Sequence, residues 1–555
     1  MGKEVPATAD PLNPGDGESP VSGGVGLVRS TALMSIGTAL SRLTGFLRLA
    51  AMAFALGVAE TRLADAYNVA NNTPNIIYEL VLGGILTSVF VPVFVEQLAS
   101  RERGEAWHVA RAVMTVAFVV LAAMMVIGIV AAPWIVRLYT FRVEPAAREA
   151  SQQLATLFLR FFMPQIVLYG LGAAATGLLN AHKRFVVPMF APILNNLVVI
   201  ASFLAFAAMD SGAAAPGPGT ISLAQKMVLA IGTTAGVVAM TVALWPSLRG
   251  IGFRFRWAFD LRHPAIRKLL RLSGWAVGYV VVNQIGLLIV IVLAAGVRGG
   301  YTAYQGAFIF FQLPYAIFAV SIMTALLPSL SELWVRGDTA GFRERLARGI
   351  RGSAFVVIPA AAGYLVLARP IVRLLLEHGV TTASSTDLLA GILVFFALGL
   401  FPFSAFMLFL RAFYAMQDTR TPLFINIFAV ALHTAVNFAY VPLMGVKGLA
   451  LGHATAYTFA ALASGWVLRR RLGGLEGRSL ATGLGKVLVG AAATGGAAWA
   501  AARGVARWIG TETLAEQLIQ VGAGVLAGLI LFIGAALLLR MEEFELVKRS
   551  IRVRR

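Results

Sequence analysis

Five polar residues recur along one apolar stretch near the start of the chain. Their spacing of three or four residues places them on one face of a helix, because such residues lie one turn apart. They are Asp65, Asn68, Asn72, Asn75 and Glu79. An ionisable residue at the bilayer centre costs about 2.5–3.5 kcal/mol on insertion scales, so it usually faces a cavity or a partner. The stripe therefore predicts a polar interior, and Pro74 predicts a kink in the same helix.

Two arginines lie on the preceding apolar stretch. Arg48 continues a helical stripe formed by Gly37, Ser41 and Thr44, and Arg42 lies beside it. Guanidinium groups bind phosphate oxygens through two parallel charge-assisted hydrogen bonds, which makes them suited to an anion in a low-dielectric cavity. The arginines therefore indicate an anion site.

Two other interpretations of these charges remain open. Arg42 and Arg48 can pair with Asp65 and Glu79 and hold the helices together, and such pairs can also store the arginines until an anion arrives. Glu79 is in addition a candidate site for a proton or a monovalent cation, because carboxylates inside membranes are enriched in proton relays.

A second polar stripe lies later in the chain and carries no charge. Its members share one helix face and are amides and aromatic residues: Tyr301, Gln305, Phe308, Gln312 and Tyr315. The preceding stretch adds Asn283 and Gln284. We therefore expect the first half of the chain to supply charge to the interior and the second half to supply neutral hydrogen-bonding groups.

The composition shows which elements must position these residues. The chain has 555 residues, of which 58% are hydrophobic and 13% charged, and its mean hydropathy is +0.79. Soluble chains carry about 25% charged residues, so the composition excludes a soluble or disordered protein. The net charge of +20 sits in short clusters rather than in a basic domain, which argues against a nucleic-acid partner. No cysteine and no HExxH-type histidine pair is present, so no metal site, cofactor or enzyme chemistry is expected.

Apolar stretches long enough to cross about 30 Å of hydrocarbon recur to the end of the chain. We predict an all-α polytopic membrane protein with 14 transmembrane helices. The predicted spans are 29–57, 65–98, 107–140, 150–181, 185–209, 221–248, 264–297, 301–334, 342–376, 385–416, 421–442, 446–470, 481–508 and 515–541.

The basic residues concentrate in alternate loops, within 249–271, 336–351 and 469–486, and in the C-terminal segment 540–555. Because cytoplasmic loops carry an excess of lysine and arginine, both termini are expected in the cytoplasm. Most of the net positive charge is therefore explained by topology and by contact with anionic membrane lipids.

The two halves of the chain repeat one another at a separation of 234 to 240 residues. Ile135-Val136-Arg137 returns as Ile371-Val372-Arg373, and Phe161-Phe162 returns as Phe395-Phe396. Further matches are Pro74 with Pro314, Pro92 with Pro328 and Pro188 with Pro422. A repeat of six spans returns the chain to its starting side, so the two lobes should run parallel around a central cavity.

This repeat predicts how the chain is divided. The lobes occupy 28–250 and 251–475, and two extra helices occupy 476–541. Residues 1–27 are expected to form a disordered cytoplasmic tail and 542–555 a basic cytoplasmic tail. Two-lobed transporters of this kind place their substrate between the lobes.

Several local motifs together resemble the MurJ (MviN) family of lipid II flippases, over about residues 29–470. They are Ser41-Arg42-Leu43-Thr44-Gly45-Phe46-Leu47-Arg48, Asp65-Ala66-Tyr67, Pro74-Asn75, Phe90-Val91-Pro92, Leu179-Asn180-Ala181, Arg184-Phe185, Ala191-Pro192, Leu327-Pro328-Ser329-Leu330-Ser331, Arg411-Ala412-Phe413-Tyr414-Ala415, Gln417-Asp418 and Thr421-Pro422.

The resemblance implies the fold of the multidrug/oligosaccharidyl-lipid/polysaccharide exporter superfamily. It implies transport of lipid II, an undecaprenyl-pyrophosphate-linked peptidoglycan precursor, from the inner to the outer leaflet of the bacterial plasma membrane. Family arginines that hold the pyrophosphate correspond to Arg42 and Arg48, and a family aspartate corresponds to Asp65. The two extra helices would form a groove for the polyprenyl tail. Cell-wall synthesis proteins are expected partners, and a monomer is expected.

Five positions depart from the family pattern. Leu49 replaces an aspartate, Tyr78-Glu79 replaces two arginines, and Ile309 and Gln312 replace an arginine and a glutamate. Neutral donors can compensate for the missing charges, and the candidates are Asn283, Tyr304, Gln305 and Gln312.

Three other functions fit parts of this pattern. A flippase for another polyprenyl-pyrophosphate-linked oligosaccharide would need the same groups. A cation-coupled multidrug exporter is disfavoured because Arg42 and Arg48 would repel cationic drugs. An enzyme acting on a lipid intermediate is disfavoured, because the sequence shows no nucleophile motif and no carboxylate pair. The residues allow membrane potential, protons or sodium as the energy source.

Overall fold

The computed structural model describes residues 20–80, 103–182, 184–209, 215–260, 264–545 and 548, and these residues form helices joined by short turns. The helices from the first half of the chain are α1 (Pro20–Leu56), α2 (Leu63–Tyr78), α3 (Arg103–Thr140), α4 (Pro145–Phe162), α5 (Gln165–Ala181), α6 (Val186–Ala208), α7 (Leu223–Val242) and α8 (Trp245–Gly250).

The helices from the second half are α9 (Pro264–Ala294), α10 (Gly300–Pro314), α11 (Val320–Val335), α12 (Thr339–Leu376), α13 (Ala383–Ala415), α14 (Arg420–Met444) and α15 (Lys447–Leu472). A π-helical turn, Tyr315–Ala319, joins α10 to α11. The last two helices are α16 (Gly477–Trp508) and α17 (Leu514–Leu538).

These helices confirm the all-α polytopic membrane fold. Eleven segments within the described residues are long and apolar enough to cross a membrane. The predicted span 150–181 is two helices, because Pro164 at the start of α5 cannot continue the hydrogen-bond ladder of α4. The predicted span 65–98 is described only as far as residue 80.

One predicted boundary differs from the structure, and one local irregularity lies close to Pro74. Residues 20–27, expected in a disordered tail, form the first turns of α1, while 1–19 lie outside the described residues. Pro74, which is expected to kink its helix, lies inside α2, which continues to Tyr78, and a π-type turn follows at 79–80. Pro314 is also followed by a π-helical turn, so both prolines are followed by the same local irregularity.

Short local signals position the helix ends. Capping boxes, in which Ser222 pairs with Gln225 and Thr513 with Glu516, begin α7 and α17 by satisfying free backbone donors. Gly473 ends α15 in the left-handed conformation that glycine adopts without steric cost.

The two halves pack chiefly within themselves. Helices α1, α2 and α4–α7 contact one another in the first half, and α12–α15 contact one another in the second. The halves meet where α2 contacts α10, α3 contacts α9 and α1 contacts α12. We call the end of the bundle with the basic turns after α8, α11 and α15 the inner end, and the opposite end the outer end.

Helices α16 and α17 pack on α12 and on each other. Small residues let their backbones approach closely. A methyl group on Gly528 would lie 3.1 Å from the Thr494 side chain, and one on Gly524 would lie 3.3 Å from the Ala498 carbonyl oxygen. Such small-residue spacing is typical of helix pairs in membranes.

Candidate functional site

A cavity of about 370 Å³ lies among α9, α10, α14 and α15 of the second half and borders α2 of the first half. Four of the predicted site residues line it: Asn72, Asn283, Gln284 and Gln305. Tyr304, named as a neutral donor, lines it as well. The cavity therefore combines one amide from the first half with several neutral groups from the second.

Three lining residues were missed by the sequence analysis, namely Asn426, His433 and His453. Asn426 Nδ2, His433 Nε2 and His453 Nδ1 are buried and have no hydrogen-bond partner among the described residues, and the same holds for Gln305 Oε1. Leaving such an atom unpaired costs about 1–3 kcal/mol, so the cavity offers both hydrogen-bond donors and acceptors to a molecule that enters it. Each histidine lies alone in an apolar stretch, and nothing in the sequence indicates that α14 and α15 bring the two rings within 6.2 Å.

Arg48 lines a small adjoining cavity together with Asn68, Asn71 and Ile309. Gln305 lines both cavities, so the arginine and the neutral groups border one continuous polar region. Arg48 forms no ion pair with any described residue, although it lies within electrostatic range of the Tyr67 and Tyr169 hydroxyl groups. The guanidinium is therefore free to bind an anion.

The remaining predicted residues lie towards the inner end. Arg42 is exposed and, with Arg411, lies within electrostatic range of the Tyr315 hydroxyl group. Asn75 is exposed, while Glu79 and Gln312 are half-buried. None of these three lines either of the two cavities just described.

Asp65 lies on the outer side of the cavity and joins the halves. Its Oδ1 atom accepts hydrogen bonds from the Thr302 backbone N–H at 2.9 Å and from the Thr302 hydroxyl at 2.8 Å. Asn68 donates to the Thr302 hydroxyl at 3.1 Å, and Asn72 donates to the Tyr301 hydroxyl at 2.8 Å. The polar stripe of α2 thus forms hydrogen bonds with α10. Among the described residues, no ion pair joins Asp65 or Glu79 to Arg42 or Arg48.

Glu60 completes this closure in the turn between α1 and α2. Its Oε1 atom accepts hydrogen bonds from the Thr382 N–H at 2.7 Å, the Thr382 hydroxyl at 2.8 Å and the Ser385 hydroxyl at 2.6 Å. Partial burial raises the pKa of Glu60, but the hydrogen bonds from Ser385 and Thr382 outweigh burial and hold the pKa below its ordinary value. Glu60 is therefore a carboxylate that binds the first half to the second.

Arg62 adds a further contact at this end. Its guanidinium is buried and donates to the Ala295 carbonyl oxygen at 2.9 Å, and it lies 3.3 Å from the carboxylate of Glu144. Glu60 and Arg62 have no periodic signal in the sequence, because they lie in a turn rather than on a helical stripe. We call the contacts of Glu60, Arg62, Asp65 and Asn68 with the second half the outer seal.

The fold and the site define a class of protein, a two-lobed membrane transporter whose central polar cavity is sealed at one end. Two solved structures share the fold. A lipid II flippase MurJ in an inward closed conformation matches with a TM-score of 0.72 and 21% identity, over 92% of this chain and 99% of that one. An inward-facing multidrug resistance transporter of the MATE family in the MOP superfamily matches with a TM-score of 0.63 and 15% identity, over 79% and 99%.

Sequence comparison identifies the family. The family model described as "Lipid II flippase MurJ" matches residues 52–520. The lipid II flippase MurJ of Burkholderia cenocepacia is 29% identical over 432 residues, which cover 77% of this chain and 80% of the relative. The chain belongs to the lipid II flippase MurJ family, whose members are transporters rather than enzymes.

Proposed function

We propose that this protein moves lipid II from the inner to the outer leaflet of a bacterial plasma membrane by alternating access. Family membership supports the substrate. One structural observation carries the mechanism: Arg48 borders a polar cavity without an ion pair among the described residues, and the outer seal closes that cavity on one side.

In this proposal the pyrophosphate of the substrate enters from the inner end. The exposed guanidinium groups of Arg42 and Arg411 meet it first, and Arg48 then binds it deeper between the halves. The pyrophosphate leaves water as it does so, and charge-assisted hydrogen bonds from guanidinium groups offset that loss.

The neutral part of the headgroup faces the second half. Sugar hydroxyls and peptide amides both donate and accept hydrogen bonds, and the unpaired atoms of Gln305, Asn426, His433 and His453 provide both roles. Neutral groups there avoid competing with Arg48 for the pyrophosphate. This division accounts for the departures at Ile309 and Gln312, where the family pattern has charge.

Release requires the outer seal to open. Glu60 and Asp65 hold backbone and hydroxyl donors of the second half, so the seal breaks by exchanging hydrogen bonds with water rather than by separating an ion pair. Hydrogen bonds to charged groups contribute about 1.5–3 kcal/mol each, and bound substrate must offset this cost to reach the outward-open state.

Helices α16 and α17 are proposed to guide the polyprenyl tail along the bilayer. They pack on α12 outside the two halves, and α17 exposes Leu526, Leu529 and Ile530. We also propose that both termini lie in the cytoplasm, because α1 begins and α17 ends at the inner end, whose basic turns are typical of the cytoplasmic side.

The test is a leaflet-resolved assay of lipid II in cells depleted of their own flippase and supplied with this chain. We expect lipid II to regain access from the outer leaflet, and a double variant, Arg42→Ala with Arg48→Ala, to leave it in the inner leaflet. Full flipping by that variant at equal protein level would refute the anion-binding role of these residues. Rescue confined to cells making a different polyprenyl-linked sugar would refute lipid II as the substrate.

A further inference from the structure

A second polar groove lies at the outer end of the first half, away from the central cavity. It has a volume of about 640 Å³ and lies between α3 and α4. Arg137 from α3 and Arg160 from α4 both line it, together with Gln152 and Thr156. Both arginines are exposed, so the groove is open to the surroundings of the protein.

The depth of this groove follows from helix lengths. Helices α4 and α5 run from residue 145 to residue 181, about 55 Å at 1.5 Å per residue, which exceeds the hydrocarbon thickness of about 30 Å. Counting about 20 residues outward from the basic inner end at Arg184 places Arg160 near the outer hydrocarbon boundary. Trp134, 62% exposed, lies one turn before Arg137 and marks the same level, because tryptophan prefers the headgroup region.

Neither arginine has an ion-pair partner among the described residues. Glu149, the acidic residue that lines the groove, accepts a hydrogen bond from Gln153 at 3.2 Å. Gln152 donates to the Thr140 hydroxyl at 2.9 Å, which fixes its side chain at the groove wall. Two unpaired arginines at the outer surface also run against the general excess of basic residues on the inner side.

The repeat supplies an internal comparison. Arg373 corresponds to Arg137 in the Ile-Val-Arg repeat, and in the second half it has both a hydrogen-bond partner and acidic partners. It donates to the Thr511 hydroxyl at 2.8 Å and pairs with Glu377 at 3.5 Å and Glu512 at 3.9 Å. Residues 511 and 512 belong to the turn between α16 and α17, which packs on the second half.

The first half has no such covering turn among its described residues, and it carries an additional charge. Arg160 precedes the Phe161-Phe162 pair, and the residue that precedes the equivalent pair Phe395-Phe396 is Val394. The first half therefore has an arginine at the point where the second half has an apolar residue. It lies beside Arg137, which forms no ion pair with a described carboxylate.

We propose that this groove binds the phosphate of a lipid headgroup in the outer leaflet, with Arg137 and Arg160 as the ligands. Two guanidinium groups at headgroup depth match the geometry of phosphate oxygens, and Gln152 and Thr156 can hydrogen-bond the adjoining polar groups. An anionic phospholipid and a polyprenyl-linked pyrophosphate share this phosphate chemistry. The inference is independent of the proposed transport function, because lipid binding can be measured on the purified protein.

Native mass spectrometry of the full chain in detergent, with added phosphatidylglycerol or undecaprenyl pyrophosphate, tests the proposal. We expect the wild type to retain phosphate-bearing lipid, and the double variant Arg137→Gln with Arg160→Val to retain it about tenfold less, because each arginine provides charge-assisted hydrogen bonds. Arg142→Gln is the matched control, since this exposed arginine lies at the same outer end but does not line the groove.

The two lipids distinguish the sources of the phosphate. A loss confined to phosphatidylglycerol assigns the groove to membrane lipid, and a loss confined to undecaprenyl pyrophosphate assigns it to polyprenyl-linked pyrophosphate, the group that lipid II also carries. Equal retention by the wild type and the double variant overturns the proposal, as does failure of the wild type to retain either lipid, which would point to a protein partner instead. A thermal unfolding midpoint equal to that of Arg142→Gln shows that the double variant is folded. When Arg160→Lys replaces Arg160→Val in the double variant, part of the binding should return.

Discussion

The two halves of this protein share a helical plan but place their charges differently. In the first half, Arg48 lines the small cavity that adjoins the central one, and Arg137 and Arg160 line the outer groove. None of the three forms an ion pair with a described residue. In the second half, Arg373 is paired with glutamates and Arg471 with Asp418. These three arginines of the first half are therefore available for ligands, whereas Arg373 and Arg471 stabilise the second half itself.

The same contrast holds for the polar groups of the cavity. The second half contributes amides, tyrosines and histidines to the cavity. Several buried amide and imidazole atoms among them have no hydrogen-bond partner among the described residues. Duplication preserves the packing of helices, because packing depends on apolar shape. The residues that face a cavity can change independently in each copy, and so one copy can bind the charge of a substrate and the other its neutral groups.

The largest effect should come from removing the central charge of the first half. Arg48→Ala should slow flipping roughly 10- to 100-fold, because a hydrogen bond to a charged group contributes about 1.5–3 kcal/mol. The leaflet-resolved rate of lipid II transport measures it. Arg48→Lys should retain part of the rate, since it keeps the charge and loses the bidentate geometry. If Arg48→Ala flipped lipid II at the wild-type rate, the difference between the arginines of the two halves would have no role in transport.

The next effect concerns the outer seal, where the halves meet. Glu60→Gln should shift the protein towards the outward-open state by about tenfold, because the carboxylate accepts three hydrogen bonds from the second half through one oxygen. The chain contains no cysteine, so spin labels at Ala146→Cys and Ile509→Cys report the distance between the halves. Asp387→Asn is the control, since Asp387 pairs with Arg369 in its own half at 2.6 Å. An unchanged distance distribution in Glu60→Gln would show that Glu60 does not hold the seal.

The seal should also depend on pH in a defined direction. The pKa of Glu60 is lower in the sealed state than its ordinary value, so the carboxylate favours the sealed state above the ordinary glutamate pKa of 4.5. This contribution is lost as the pH falls through the lowered pKa. The spin-label distance should therefore stay constant from neutral pH down to about 4.5 and lengthen only below it, and Glu60→Gln should abolish the change.

A smaller effect is expected for the neutral side of the cavity. Gln305→Leu should slow flipping by about 2- to 10-fold, because a neutral hydrogen bond contributes only about 0.5–1.5 kcal/mol. The measurement is the ratio of the flipping rate of Gln305→Leu to that of Arg48→Ala in the same assay. If Gln305→Leu were the more damaging variant, the pyrophosphate would have to bind nearer the second half.

The smallest effect concerns the turn before α14, a structural hairpin. Asp418 accepts backbone hydrogen bonds from Arg420 and Thr421, both at 3.0 Å, and pairs with Arg471. Asp418→Asn should lower the free energy of unfolding by about 1 kcal/mol, measured by thermal unfolding in detergent. Flipping should be unaffected, because this turn lies at the inner end and lines neither cavity. A large loss of transport in a stable variant would instead give the turn a role in opening the inner end.

The periodic features of the sequence predicted much of this molecule. The length of the apolar stretches gave the helices, because a helix satisfies its own backbone hydrogen bonds and must be about 20 residues long to cross the hydrocarbon. The three-four spacing from Asp65 to Asn72 placed these residues on one face, and they do line up against α10. The turn residues Glu60 and Arg62 gave no such signal, since a turn has no period.

The sequence by itself determined the helical membrane fold, the internal repeat and the presence of charge inside the first half. Only the tertiary structure decided the partners of those charges: Asp65 binds Thr302, 237 residues away, rather than Arg42 or Arg48 of the preceding helix. It also decided that His433 and His453 share a cavity and that Arg137 lacks the partners of Arg373. The physical reason is one of range. Helix formation and apolar periodicity depend on neighbours within a few residues, whereas the partner of a buried polar group depends on how distant helices pack.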